Sequence, residues 1–314
     1  MKKTNLKECA GLLLAHDDIL LITHSNPDGD TVGSAAALCL ALRRAGKNAY
    51  LYPNTQITEK LLPYAQPLFP PLDFRPGYTV AVDAATEQLL AHGFSEGVDL
   101  CIDHHPSNSH YAKSWLVRGE KAACGEIILD LIKKLNGGVS KEEADLLYIA
   151  ISTDTGCFQY SNTNSATFKA AAELLEAGAD NTLINTAFFR KVSPARLRLE
   201  GMIYSTMTFH RDGKIAVVCV TREMLEASGV SEDDLDDLSG LSGRAEGSVL
   251  NITIREMNDG NSKVSLRSDK TVNSSDICAV FGGGGHAMAA GCTIMGTTGK
   301  AKEMLLAVID EVWK

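Results

Sequence analysis

One histidine and two aspartates lie within seven residues near the start of the chain, in the stretch ITHSNPDGDTVGS at positions 22 to 34. They are His24, Asp28 and Asp30, and they follow an apolar run and precede a run of small residues. Two carboxylates only two residues apart repel each other unless a cation lies between them. The spacing therefore predicts a site that binds a cation.

Three further groups of similar residue types follow: Asp83 in AVDAA, the triplet DHH at 103 to 105, and Asp154 in STDTG. Taken singly, each has an ordinary explanation, because an aspartate often caps a helix or occupies a turn, and a histidine pair often packs or lies on the surface. Together they supply histidine nitrogens and carboxylate oxygens, which suit Mn²⁺ or a similar divalent ion better than a closed structural zinc site. The candidate ligands are numerous enough to hold two ions that share a carboxylate. Two ions about 3.5 to 4 Å apart promote nucleophilic displacement at phosphorus.

The elements predicted around these groups would bring them to one edge of a sheet. Apolar runs at 18–23, 79–85 and 99–105 predict buried strands that end at or just before three of the groups. A further strand is predicted at 48–52, and helices are predicted at 31–46, 125–136, 141–152 and 165–179. The carboxyl ends of parallel strands share one edge, where ligands bind. The pattern therefore predicts an α/β domain with a doubly wound parallel sheet.

The second half of the chain has a different pattern, typical of a smaller α+β domain. Residues 182–208 predict a helical connection, 214–221 a strand, and 247–268 two strands joined by a turn at 258–260. The glycine-rich stretch FGGGGHAMAAGCTI predicts a glycine turn before the start of a helix, and residues 299–313 predict a final helix. We therefore predict three parts: a catalytic domain at 1–187, a helical connector at 188–205 and a substrate-binding domain at 206–314.

Composition narrows the class of protein. The 314 residues are 45% hydrophobic and 22% charged, which is ordinary for a folded protein, and the net charge of -9 argues against a broad basic surface for duplex nucleic acid. The eight cysteines are scattered without a C-x-x-C pair, so we expect neither a zinc ribbon nor a disulfide framework, and a reducing cytoplasm is the expected compartment. No export signal or membrane segment is expected. The acidic run at 231–240 is interpreted as a solvated face.

The order and spacing of HSNPDGD, VD, DHH and TDTG resemble the DHH phosphoesterase superfamily. This resemblance implies a doubly wound parallel sheet followed by a smaller domain, with the active site in the cleft between them. It implies one metal held by His24, Asp28 and Asp83, and a second held by Asp30, Asp83, His104 and Asp154, so that Asp83 bridges. Two divalent ions are expected, with Mn²⁺ favoured over Mg²⁺ or Co²⁺.

The resemblance also implies roles beside the metals. His105 would face the scissile phosphate as a general acid or charge stabiliser, Asp103 would orient the histidines, and Asn26 would touch the attacking water or the phosphate. The attacking species would be a metal-activated hydroxide. Cys157 follows TDTG, but it has no matching histidine motif and is not expected to be a nucleophile.

In the second half, SLRS at 265–268 followed by GGGGH resembles the DHHA1 domain, which binds nucleic acid in this superfamily. The resemblance places Arg267 and His286 on a substrate phosphate or base, with a lining of Ser268, Gly283, Gly284 and Gly285. Pyrophosphatases of the superfamily carry a different second domain, and we expect none of the extra domains that its large exonucleases or membrane-bound members carry. The compact two-domain form that remains degrades very short RNAs and, in many members, dephosphorylates 3'-phosphoadenosine 5'-phosphate.

Alternatives remain open from the sequence. A cyclic di-AMP or pApA phosphodiesterase would share every catalytic residue, and a nucleotide-binding regulator without catalysis is a different class that the complete ligand set disfavours. We expect short single-stranded RNA or a small nucleotide as the partner, with no duplex and no membrane, and a homodimer is one open oligomeric state. One departure from the family pattern is Ala123 and Cys124, where small hydroxyl residues are expected.

Overall fold

The computed structural model describes residues 1–231, 235 and 238–313. The chain divides into two compact units, Met1–Lys191 and Val192–Lys314. Half of the predicted acidic run at 231–240, namely residues 232–234 and 236–237, lies outside the described residues. Within the described part of the chain, no helix is both long and apolar enough to cross a membrane.

The first unit is built on a six-stranded sheet in which all neighbouring strands are parallel, as predicted. Its strand order is β1-β6-β5-β4-β2-β3, so the order reverses between β2 and β4. The strands are β1 (Lys2–Lys3), β2 (Ile19–Ile22), β3 (Ala49–Leu51), β4 (Tyr78–Val82), β5 (Leu100–Asp103) and β6 (Ser114–Val117). Strands β1 and β6 were not predicted from the sequence. The central strands β2, β4 and β5 are buried throughout, which explains their continuous apolar runs.

Seven helices belong to this unit among the described residues: α1 (Leu6–Ala15), α2 (Gly29–Arg44), α3 (Leu62–Ala65), α4 (Cys124–Asn136), α5 (Lys141–Asp154), α6 (Ser165–Glu176) and α7 (Asn181–Asn185). Helix α2 is buried along almost its whole length, because its small residues allow α4 and α5 to pack closely on either side. Residues of α1, α2, α4 and α5 join β2, β4 and β5 in the main hydrophobic core. The core thereby fixes the starts of α2 and α4 beside the end of α5.

The second unit contains a mixed six-stranded sheet with the order β11-β12-β10-β9-β8-β7. Its strands are β7 (Thr208–His210), β8 (Ile215–Val220), β9 (Leu250–Glu256), β10 (Ser262–Ser268), β11 (Gly284–His286) and β12 (Ala289–Ile294). Its helices are α8 (Pro194–Ser205), α9 (Arg222–Ser228), α10 (Ser274–Ala279) and α11 (Thr298–Val312), and a 3₁₀ segment spans Leu238–Arg244. Strands β9 and β10 form the predicted hairpin, and α8 packs through Leu199 and Ile203 on this unit's own core.

The prediction of a helix after the glycine run is wrong. Residues 284–286 and 289–294 form the antiparallel strands β11 and β12, and β12 also pairs with β10. In β12, Ala290, Cys292 and Ile294 are buried and alternate with more exposed residues, which is the period of a strand. The small side chains of AMAAG hid this alternation in the sequence.

Candidate metal centre and active site

The four groups of candidate ligands meet at the carboxyl edge of the parallel sheet. His24 and Asp28 follow β2, Asp83 follows β4 directly, and the DHH triplet begins at the last residue of β5. Asp154 is the last residue of α5, where a helix end was predicted. Because the strand order reverses between β2 and β4, this edge has the crevice at which open α/β sheets bind ligands.

Contacts around the start of α2 bring its two aspartates to this crevice. Asp28 caps the helix by accepting hydrogen bonds from the backbone N–H groups of Asp30 at 3.0 Å and Thr31 at 3.1 Å. Gly29 lies so close to α5 that an added Cβ would be 2.4 Å from the Thr153 hydroxyl oxygen. Glycine is therefore required here for the start of α2 to approach Asp154, the neighbour of Thr153.

His24 lies between two of the carboxylates. Its Nε2 atom is 3.7 Å from Asp28 Oδ1 and 3.8 Å from Asp83 Oδ2. Its Nδ1 atom is 2.8 Å from the backbone carbonyl oxygen of Ser25, an acceptor that favours a proton on Nδ1 and leaves Nε2 as a ligand. Burial is the largest single effect on the pKa of His24 and lowers it, but the hydrogen bond and negative charge of Asp28, together with the hydrogen bond to Ser25, make the net shift upward.

His104 is the centre of the second group. Its Nε2 atom is 3.8 Å from Asp30 Oδ2, 3.5 Å from Asp83 Oδ1 and 3.6 Å from Asp154 Oδ2. The backbone carbonyl oxygen of Lys121 lies 3.2 Å from Nδ1 and orients the ring. The ligand atoms of Asp30, His104 and Asp154 all lie within 4.8 Å of one another, as do those of the group around His24.

Asp83 belongs to both groups, because one oxygen faces His24 and the other faces His104. The residue is 3% exposed, and among the described residues its buried Oδ1 atom accepts no hydrogen bond. Burial and the neighbouring carboxylates, with Asp30 first among them, raise its pKa well above the usual range. A buried carboxylate with an unpaired oxygen beside other carboxylates is the environment expected of a metal ligand, so the residues present fit bound divalent cations.

Asp30 is held by contacts that the sequence analysis missed. The backbone N–H groups of Cys124 and Gly125, at the start of α4, donate to its carboxylate at 2.7 and 2.9 Å, and the Ser34 hydroxyl donates at 3.0 Å. Burial, Asp154 and Asp28 nevertheless raise the pKa of Asp30 well above its usual range. Because backbone N–H groups of α4 donate two of these bonds, a cysteine at position 124 in place of the expected hydroxyl residue keeps the contact to Asp30.

The DHH triplet continues into a buried hydrogen-bond network. Asp103 Oδ1 lies 2.7 Å from His105 Nδ1, and Asp103 Oδ2 accepts a 2.6 Å hydrogen bond from the Asn108 side chain. The hydrogen bond to Asp103 raises the pKa of His105. His105 remains 43% exposed, with Nε2 unbonded among the described residues. Asn108 was missed in the sequence, where only its position five residues after Asp103 could have indicated the contact.

Comparisons with known proteins identify the family of the chain. Residues 18–151 match the DHH family, N-terminal domain, and residues 212–314 match the DHHA1 domain. The bifunctional oligoribonuclease and PAP phosphatase NrnA of Thermus thermophilus is 36% identical to this chain over 93% of it and 89% of the relative. The chain belongs to the DHH family.

Other relatives of this DHH protein also span both units. The protein of the same name from Mycoplasma genitalium is 27% identical over 94% of each chain. An exopolyphosphatase-related protein from Bacteroides fragilis has a crystal structure with a TM-score of 0.85, 22% identity, and coverage of 98% of this chain and 96% of its own. The latter likeness shows the fold, and it confirms the predicted succession of a parallel α/β domain and a smaller α+β domain.

Asn26 lies in the loop of this DHH protein between His24 and Asp28. Its backbone is left-handed, with φ 50°, a conformation that asparagine tolerates better than most residues. Its side-chain oxygen accepts a 2.9 Å hydrogen bond from Gln56, which leaves the amide N–H₂ group for a ligand. Cys157 is also left-handed, and burial raises the pKa of its thiol, which does not favour a nucleophile.

In the DHHA1 unit, the register of the strands aligns Arg267 with His286. Arg267 of β10 pairs with Ala289 of β12, and Ala289 pairs with His286 of β11. Side chains that are paired across a sheet project from the same face, so Arg267 and His286 flank the small Ala289. Both are exposed, and both can contact a ligand on this face.

The other candidates in this unit have structural contacts. The Ser268 hydroxyl donates to the Val272 carbonyl at 2.7 Å and lies 2.8 Å from the Ser274 hydroxyl, so it closes a loop. A Cβ on Gly283 would lie 2.3 Å from the Gly291 carbonyl oxygen, whereas Gly284 has open space around it. The glycines therefore allow the edge strand to lie close to β12.

Proposed function

We propose that this chain is a metal-dependent phosphoesterase that hydrolyses short oligoribonucleotides to mononucleotides and converts 3'-phosphoadenosine 5'-phosphate to AMP. The observation that carries the proposal is the position of Asp83, whose two oxygens lie 3.8 Å from His24 and 3.5 Å from His104. A shared carboxylate between two ligand groups is the arrangement of two-metal phosphoester hydrolysis. The names of the Thermus and Mycoplasma relatives support the choice of substrates.

In this proposal, His24, Asp28 and Asp83 hold one divalent cation, and Asp30, Asp83, His104 and Asp154 hold the other, with Mn²⁺ the favoured ion. Bound divalent cations would lower the pKa of water and neutralise charge on the phosphoryl oxygens. Ser34 and the start of α4 position Asp30, and the Lys121 carbonyl positions His104. The site is thereby arranged before a cation binds.

In this proposal, His105 contacts the substrate and not the cations. Asp103 fixes its Nδ1 atom at 2.7 Å, so Nε2 is free to face the scissile phosphate as a general acid or as a stabiliser of charge. Asp103 is fully buried and is itself held by Asn108, which makes it a positioning residue. Asn26 contacts the phosphate or the attacking water through its amide N–H₂ group.

The DHHA1 unit binds the rest of the substrate. Arg267 and His286 hold a phosphate or base of the nucleotide, and Ser268, Gly283, Gly284 and Gly285 shape this site. Arginine suits a phosphate because its planar guanidinium donates two parallel hydrogen bonds. Glycines at the edge strand allow a ligand to approach the backbone N–H groups closely.

The test is product release from a substrate panel measured with Mn²⁺ and with EDTA. The panel contains a five-nucleotide RNA, pApA, 3'-phosphoadenosine 5'-phosphate, cyclic di-AMP and pyrophosphate. We expect metal-dependent cleavage of the RNA and of the bisphosphate. Activity on cyclic di-AMP alone, or on pyrophosphate alone, would overturn the proposed substrates while leaving the metal centre in place, and no activity on any substrate would support a nucleotide-binding regulator.

A further inference from the structure

One face of the DHHA1 sheet is polar, and its cations extend beyond Arg267. Strands β9 and β10 pair so that Lys263 faces Arg255, Ser265 faces Thr253 and Arg267 faces Asn251. The alternate residues of the same strands, such as Ile254 and Leu266, are buried in the core on the opposite face. The polar residues therefore share one face of the sheet.

This face has two cationic rows separated by a row of small residues. The first row contains Arg267 and, across Ala289, His286. The second contains Lys263 and Arg255, and the row between them contains Ser265, Gly291 and Gly284. Arg267 follows Lys263 by four positions along β10, a distance of about 13 Å at about 3.3 Å per residue. The two rows therefore lie at separate positions along the strand.

The second row borders a cavity with the character of an anion site. The cavity has a volume of about 250 Å³, and its lining combines the polar residues Arg255, Lys263, Thr253, Ser265 and Ser239 with Leu235 and Leu238. Among the described residues, neither Arg255 nor Lys263 lies within ion-pair distance of a carboxylate. The Ser265 hydroxyl likewise makes no hydrogen bond within that part of the chain. Arg255 Nη2 donates a weak hydrogen bond to the Met257 sulfur at 3.8 Å. Two cations without an ion pair and a hydroxyl without a hydrogen bond among the described residues match the needs of a phosphate group.

We propose that Arg255 and Lys263 form a second phosphate subsite, which binds a phosphodiester of a single-stranded oligonucleotide farther along the chain than the nucleotide at Arg267. The small residues between the rows leave room for the connecting nucleotide. The subsite distinguishes oligonucleotides from mononucleotides, because only a chain of several nucleotides has a phosphate that reaches it. This inference rests on the proposed function, since it specifies which of the proposed substrates uses the full face.

Binding of a fluorescent five-nucleotide RNA in EDTA tests the subsite without turnover. The variants are Arg255→Ala/Lys263→Ala and the milder Arg255→Gln/Lys263→Gln. The matched control, Lys214→Ala/Lys300→Ala, removes two positive charges elsewhere on the same unit. We expect a Kd about tenfold higher for both subsite variants and a slope of log Kd against log[salt] that is smaller by about 1.4, because two single-strand phosphate contacts are lost. The control should stay within twofold of the wild type.

Kinetics with Mn²⁺ complete the test. We expect KM for the five-nucleotide RNA to rise about tenfold with kcat retained, whereas KM for 3'-phosphoadenosine 5'-phosphate changes less than twofold. A subsite variant that binds the RNA as the control does would overturn the inference, and so would an equal rise of KM for both substrates. If the wild type cleaves neither substrate, the proposed function fails, and the binding measurement still decides the subsite.

Discussion

Replacing Asp83 with asparagine should abolish turnover and, in the absence of metal, stabilise the protein. Asparagine is the appropriate substitution because residue 83 has φ 59°, which asparagine tolerates, and because the side chain keeps its size. The change removes the negative charge and one of the two oxygens that face His24 and His104. We expect kcat to fall at least about 100-fold, which exceeds the usual effect of residues that only support metal ligands.

The gain in stability follows from the repulsion between buried carboxylates. Asp83 Oδ1 and Asp30 Oδ2 lie 3.5 and 3.8 Å from the same nitrogen of His104, so they are at most about 7 Å apart. Two negative charges at about 7 Å repel by about 2.4 kcal/mol in an effective dielectric of about 20. A free energy of unfolding that is higher by about 2 kcal/mol corresponds to a Tm increase of roughly 4 to 8 °C for a unit of this size.

The pH dependence of this gain has a defined sign. The pKa of Asp83 is raised in the folded protein, so protonated Asp83 favours the fold at low pH, and this contribution is lost as the pH rises through the folded pKa. The Asp83→Asn variant has no such loss. In EDTA, the difference in stability between the variant and the wild type should therefore be larger at pH 8 than at pH 5.

The assay follows the fluorescence of Trp115 during thermal and urea unfolding in EDTA, in a Trp313→Phe background, because Trp115 then reports on the first unit alone. Asp73→Asn is the control, since Asp73 is exposed and is not among the proposed ligands, and it should leave Tm and activity unchanged. A lower Tm for Asp83→Asn in EDTA would refute the repulsion argument. Turnover above a tenth of the wild-type rate in a folded variant would refute the shared ligand.

Three further predictions concern the positioning and binding residues. Asn108→Ala removes the hydrogen bond to Asp103 and should lower kcat about 10- to 100-fold. Mn²⁺ binding, measured by calorimetry, should be retained, and its loss would contradict the positioning role. Gly283→Ala would place a Cβ 2.3 Å from a carbonyl oxygen of β12, so it should lower the Tm of the second unit by several degrees. The control, Gly299→Ala in α11, has open space around the new Cβ and should leave the Tm unchanged. Arg267→Ala should raise KM for short RNA about tenfold and spare a small generic phosphodiester, and an equal loss on both would show that Arg267 serves the chemistry or the fold.

The ligand groups could be predicted because their signal is local. Each of three groups lies at or just after the end of a buried strand. Parallel strands bring their carboxyl ends to one edge of the sheet, regardless of how the helices pack. The strand order itself was not needed for that conclusion. Asp83 shows how far the local signal reaches, since this single acidic residue after an apolar run lies between His24 and His104 in the structure.

The contacts that hold the ligands could not be predicted, because they depend on packing between distant parts of the chain. Asp30 accepts hydrogen bonds from backbone N–H groups about 95 residues away, and backbone groups carry no residue-type signal. The prediction for the glycine-rich segment was wrong for a different reason. Residues such as Gly285 and Ala289 are too small to show an alternation of polar and apolar side chains, so the pairing of β12 with β10 decided the structure.

The two most buried carboxylates among the proposed metal ligands differ in a way that suits a two-metal centre. Asp30 accepts three hydrogen bonds from the protein, so its orientation is fixed whether or not a cation is bound. Asp83 has a buried oxygen with no donor among the described residues, so its charge is left for cations on both sides. If a donor were placed beside that oxygen, the metal-free fold would gain stability and the site would bind cations less well. The unpaired oxygen of Asp83 is therefore best explained as a cost in stability that serves metal binding.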